Sequence, residues 1–174
     1  MSSRKLPGIT VWIAGMETGE REFDLHVEST EIPDLVAEYM SPIHVYGKVL
    51  KRGRKLHVTY TVSTIARLVC DRSVEEYDEQ ITVNTELNYV LDSDLFFQQK
   101  GLELDPDDVR GLRDDAQEID ITDDVRQDLV VALPMKRVAP QFRETELPRE
   151  YTTPDSGSEI DERWASLQKI QLKK

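Results

Sequence analysis

A chain of 174 residues, 32% of them charged and with a formal net charge of −12, is long enough for one domain with a substantial core. It has no bulk attraction for RNA or for an anionic membrane, so any nucleic-acid contact must come from a local basic patch. The single cysteine, Cys70, excludes an intrachain disulfide and a multi-cysteine zinc site. No run approaches the roughly 18 apolar residues of a membrane span, and the short ITVWIAG run behind Arg4 and Lys5 reads as a strand rather than a signal peptide. A soluble cytoplasmic protein without a cofactor is expected.

Ile9, Val11 and Ile13 alternate with Thr10 and Trp12, and Phe23, Leu25 and Val27 alternate with Asp24 and His26. The polar stretch between them contains Gly19, which predicts two strands joined as a loose hairpin. Residues 34–40 suit one or two helical turns ended by Ser41-Pro42. Pairing residues 43–50 against 55–62, with Val49 opposite Leu56 and Val45 opposite Tyr60, then puts every apolar side chain on one face. A loop longer than two residues, with Gly53 left-handed, is the preferred connection because a tighter turn would ask Arg52 for a positive φ. The opposite face holds His44, Tyr46, Lys48, Lys55, His57 and Thr59, with Lys51, Arg52 and Arg54 at the tip. Cations without a single acid are an anomaly in so acidic a chain.

Strand alternation continues to Cys70, and a second long strand sets Tyr77, Ile81, Val83, Leu87, Tyr89 and Leu91 against a polar face. Residues 92–118 read as an acidic, loop-like connection. A short amphipathic helix follows, with Ile121, Val125, Leu129 and Ala132/Leu133 as its apolar stripe and Thr122 as N-cap. Asp123 and Asp124 sit at the positive end of its dipole and Pro134 stops it. Residues 135–157 carry Pro140, Pro148 and Pro154 and read as a flexible linker. A last helix over 158–174 starts at Ser158 and presents Ile160, Trp164 and Leu167. The expected architecture is α+β: a mainly antiparallel sheet, capable of barrel-like closure, with one or two packed helices over residues 1–134.

Two surfaces are candidates for function. Lys48, Lys51, Arg52, Arg54 and Lys55 can neutralise phosphates while Tyr46 and His57 offer rings for stacking on unpaired bases, which suits partly single-stranded RNA. Asp123, Asp124 and Asp128, with Trp164 on the last helix, suit a basic protein partner. An enzyme is not expected: His26, His44 and His57 show no metal-ligand spacing, and no P-loop, nucleophile elbow or dinucleotide fingerprint is present. A divalent-metal phosphoesterase built from the acidic cluster is a minor alternative, because it needs carboxylates converging on one ion. No metal site is expected.

Three segments carry a resemblance. CDRSV at 70–74 is similar to a Cys-x-Arg-Cys-Leu element, residues 119–134 are similar to an acidic-apolar helix ending in Leu-Ala-Leu-Pro, and DERWASL at 161–167 is similar to a C-terminal segment. Together they resemble the YceD-like proteins over about residues 43–172, with Cys70, Arg72, Asp120, Leu133, Pro134, Arg163 and Trp164 at motif positions. The resemblance implies a role in 23S rRNA accumulation and large-subunit assembly, with no established catalytic site. Its implied partners are rRNA or a pre-large-subunit particle, whereas a basic ribosomal protein or assembly factor is the partner that the acidic side chains suggest; neither DNA nor a membrane is expected. Ser73 stands where many members have a second cysteine, and MKRVAPQFRE after Pro134 lacks the Cys-x-x-Cys-like set. Any metal role of those relatives does not transfer to this chain.

Overall fold

The structure, a computed structural model, describes residues 8–102, 104 and 108–143. Its elements are β1 (Thr10–Trp12), β2 (Gly19–Val27), β3 (Ile43–Arg52), β4 (Lys55–Val69), β5 (Glu76–Leu91), α1 (Ser93–Gln99), β6 (Val109–Leu112), β7 (Glu118–Asp120), α2 (Thr122–Ala132) and α3 (Pro140–Arg143). Five strands form one sheet in the order β2-β3-β4-β5-β6, and β1 pairs with β7 in a second, two-stranded sheet. All pairings are antiparallel except β5 with β6. The α+β class holds, but the sheet is open, with β2 and β6 as its edges. The apolar face that closure would have buried is instead covered: Val45, Val49, Val58, Val62 and Leu87 are fully buried in one core with Val125 and Leu129 of α2 and with Val11 and Ile119 of the small sheet.

The anticipated β1–β2 hairpin does not form. β1 reaches across the chain to β7, with Val11 opposite Ile119, while β2 pairs with β3. Residues 34–40 make turns rather than a helix, and Tyr39 is buried with its hydroxyl donating to the Leu129 carbonyl at 2.6 Å. The β3–β4 register is displaced by two positions from the expected one. Val49 lies opposite Val58, Val45 opposite Val62, and Arg52 opposite Lys55. The connection is therefore a two-residue turn of Gly53 and Arg54. Gly53 has φ 60° and Arg54 is not left-handed, the pattern of a type II′ turn, so Arg52 is spared. Because strand faces repeat every second residue, this slip leaves the buried set on the same side.

At the centre of the sheet Gly47 lies between Phe23 on β2 and Tyr60 on β4. A Cβ there would meet the Thr59 carbonyl and come within 2.8 Å of the Tyr60 Cβ and the Phe23 ring. Glycine lets the two aromatics close over the backbone, and the Tyr60 hydroxyl reaches Asp128 of α2. The stripe of α2 packs as expected. Its start differs: Ile121 is the N-cap position without a side-chain bond, and Thr122 is already helical. The Asp120 carboxylate accepts from the Thr122 amide at 3.0 Å, and the Thr122 hydroxyl accepts from the Ile9 amide at 2.8 Å, tying helix to β1. Residues 92–118 are more than a loop. Asp92 caps α1 by accepting from the Leu95 amide, and β6 joins the sheet. A first compact unit ends at Ala139, where Val138 and Ala139 are buried, so packing extends past Pro134 into the expected linker; α3 belongs to a second unit. The rest of that linker and the last helix lie outside the described residues. Among the described residues no helix is long and apolar enough to cross a membrane.

Candidate nucleic-acid interface

The polar face of the sheet is built from alternate residues of β2 to β5, and β2 and β5 supply the acids that the β3–β4 hairpin lacks. Lys48 Nζ lies 3.4 Å from Glu20 of β2, and His44 Nε2 lies 2.7 Å from Asp24. On the other side His57 bonds Asn88 at 3.0 Å and stands 3.7 Å from Glu86, both on β5. At the tip Arg54 donates to the Leu91 carbonyl and to Asp114, each at 2.6 Å, and Lys51 Nζ donates to the Met16 carbonyl at 2.7 Å. The anomaly of unpaired cations is thus mostly resolved by neighbours remote in the chain. Among the described residues Arg52 and Lys55 are the two of the basic set whose side chains make no ion pair or hydrogen bond.

Those two residues face each other across the turn and line a groove of about 320 Å³ together with Leu50, His57, Asn88 and Val109. An adjoining groove of about 350 Å³ runs along Tyr46, Lys48, Thr59, Thr61 and Asn84, flanked by Glu22 and Glu86. The exposed ring of Tyr46 stands at its rim. The hairpin therefore offers free charge at one end, a ring further along, and amide and hydroxyl groups between them.

The acidic candidates fare differently from one another. Asp123 is 85% exposed and pairs weakly with Arg126 at 3.3 Å. Asp128 turns inward, where its Oδ2 accepts from the Tyr60 and Thr85 hydroxyls at 2.8 Å each. Asp124 is only 12% exposed and bonds Arg110 of β6 at 2.6 Å. Helical spacing puts Asp124 and Asp128 off the apolar stripe but could not reveal that the sheet has polar groups waiting for them. Asp120, Asp123 and Asp124 border one cavity of about 530 Å³, yet their carboxylates are directed to Thr122, Arg126 and Arg110 rather than to a common point.

Burial raises the Asp124 carboxyl above its ordinary range, against the lowering effect of Arg110. Ionising it inside the protein therefore costs more than the guanidinium returns. Arg110→Met alone should lower stability by about 3 kcal/mol by stranding the carboxylate, whereas Arg110→Met with Asp124→Leu should be neutral or stabilising. Denaturant midpoints of the two variants decide between them.

The motif turn at Cys70 is a packing feature. Cys70 is a free, fully buried thiol. Its Sγ accepts from the Ala139 amide at 3.4 Å, which draws its pKa down to about 7 against the effect of burial. Asp71 exchanges bonds with Arg137, accepting at its carboxylate and donating from its amide, and Arg137 reaches Glu38 at 2.9 Å. Val74 takes φ 61°, uncommon for a β-branched residue, with its amide bonded to the Cys70 carbonyl. Arg72 lies in the same turn. The two segments where the resemblance suggests cysteines thus meet, and here backbone bonds and one enclosed thiol join them. With a single soft ligand present, these residues do not fit a metal. Leu133 and Pro134 close α2, whereas Arg163 and Trp164 lie outside the described residues.

An open α+β sheet, capped on one face by an acidic helix and carrying a largely ion-paired polar surface on the other, defines the class of domain. The chain belongs to the YceD family: the model described as "Large ribosomal RNA subunit accumulation protein YceD" matches residues 58–171. The chain is also 26% identical over 158 residues to the uncharacterized protein YlbN of Bacillus subtilis (strain 168), covering 86% of this chain and 87% of that protein. No solved structure matches it. The family match opens at Val58, inside β4, rather than near residue 43. The candidate residues from Tyr46 to His57 therefore precede it.

Proposed function

We propose that this protein supports accumulation of large-subunit rRNA by binding, without catalysis, and that the hairpin groove is its RNA contact. The family description supplies the process. The observation that carries the contact is the pair Arg52 and Lys55, unengaged cations beside His57 in a chain whose other hairpin cations are held by Glu20, Met16 and Asp114. They bind phosphate without first breaking an internal bond. Tyr46 is the stacking ring. Lys48, Lys51 and Arg54 act as supports that hold the hairpin in place.

The test is binding of the full chain to large-subunit rRNA fragments across a salt series, beside Arg52→Glu/Lys55→Glu. The double variant is expected to lose roughly 0.7 to 0.9 in salt slope for each phosphate contact removed, with affinity falling at every salt concentration. Unchanged binding would reject the groove. If the native chain ignores RNA at low salt yet captures a basic ribosomal protein, an adaptor role replaces this reading. That alternative rests on exposed Asp123, since Asp124 and Asp128 are engaged internally.

A further inference from the structure

We infer that Asp24, His26 and His44 form a surface site for a borderline transition-metal dication, of which Zn²⁺ is the natural probe. Asp24 and His26 are two residues apart on β2 and so project from the same face, and His44 lies directly opposite His26 on β3. The two imidazoles stack with centroids 4.3 Å apart and planes 17° from parallel. One oxygen, Asp24 Oδ1, stands 2.7 Å from His44 Nε2 and 3.5 Å from His26 Nδ1. All three ligand atoms lie within 4.8 Å of one another.

These separations suit an ion. Tetrahedral coordination at about 2.0–2.1 Å places ligand atoms roughly 3.3 Å apart, and the 3.5 Å separation of His26 and Asp24 is close to that value. The closer His44–Asp24 contact is an imidazole–carboxylate hydrogen bond that ion binding would exchange for a metal bond; because nearly parallel stacked rings direct their in-plane lone pairs side by side, one imidazole would also turn out of the stack to bring both nitrogens onto the ion. Two imidazoles and a carboxylate are a donor set suited to Zn²⁺, Ni²⁺ or Cu²⁺ and poorly suited to Mg²⁺ or Ca²⁺, which take oxygen ligands. The frame is rigid, because β2 and β3 are paired from Gly19–Lys51 to Val27–Ile43. The side of the site away from the sheet is open, with His26 68% and His44 39% exposed, so water would complete the coordination. The ion would clamp edge strand β2 to β3. Sequence spacing conceals this set, since His26 and His44 become neighbours only through strand pairing.

The experiment is calorimetric titration of the untagged full-length chain with Zn²⁺, followed by gel filtration and metal analysis. One equivalent per chain, retained on the column and accompanied by a higher thermal midpoint, is the expected result. His26→Gln and His44→Gln should each abolish it, and Asp24→Asn should weaken it by roughly tenfold or more. Circular dichroism of each variant should stay native, because the side chains are at the surface. His57→Gln, which removes the remaining histidine, should bind like the native chain. The inference is overturned if no stoichiometric binding is found, if the ion is lost on the column, or if His26→Gln and His44→Gln bind undiminished.

Discussion

Asp128→Ala is expected to lower unfolding stability by about 3 kcal/mol, although Asp128 shares its acidic helix with Asp123, which is exposed to solvent. Its Oδ2 accepts from both Tyr60 and Thr85, and hydrogen bonds to an ionised acceptor contribute about 1.5–3 kcal/mol each. Tyr60 is 3% exposed, so water cannot readily replace the carboxylate, and truncation leaves a buried phenol without an acceptor. Tyr60→Phe should cost less, about 1 kcal/mol, because it removes the donor and leaves Asp128 bonded to Thr85. The double variant should be less destabilised than the sum of the two. Urea denaturation of the three proteins reads these values; equal effects of Asp128→Ala and Asp123→Ala would show that the inward network contributes nothing.

The second large effect is alkaline. Burial pushes the Tyr39 phenol up to about 12 and raises Tyr60 and Tyr89 further, with Asp128 adding to Tyr60 and Asp124 to Tyr89. In the unfolded chain these tyrosines ionise near their ordinary value of about 10. Folded pKa values raised in this way confer stability that is complete below about pH 10 and is lost as pH climbs toward the folded values. Above pH 10 the unfolded chain binds fewer protons, so the slope of stability with pH is negative. Each of the three contributes about 1.4 kcal/mol per pH unit, and together they give a loss of roughly 4 kcal/mol per unit between pH 10 and 12. The expected result is a flat midpoint up to about pH 10 and cooperative unfolding soon after, with tyrosinate absorbance rising at the same pH as helical signal is lost. Tyr60→Phe should make the limb shallower by one proton.

Much of the fold is legible in local pattern. Alternation running to Cys70 and again from Tyr77 to Leu91 predicts two long half-buried strands, and β4 (Lys55–Val69) and β5 (Glu76–Leu91) are those strands. Ile121, Val125 and Leu129 announce the buried stripe of α2, and Pro134 its end. Three motif segments, each modest alone, are enough to indicate the family. The candidate site was legible only as a list of residue types. Lys48 and Arg54 look free in the sequence because Glu20 and Asp114, their partners, lie 28 and 60 residues away.

The sequence by itself determined the period of the long strands, the burial face of each long element and the family, because those properties are written in residues a few positions apart. Tertiary structure decided the rest: β1 against β7 rather than β2, a tight turn at Gly53, Asp128 beneath Tyr60, and His26 against His44. The physical reason is that hydrophobic periodicity is indifferent to which strand supplies the neighbour. Pairing is settled by the shared core and by the charges and hydrogen-bonding groups that must be matched across it.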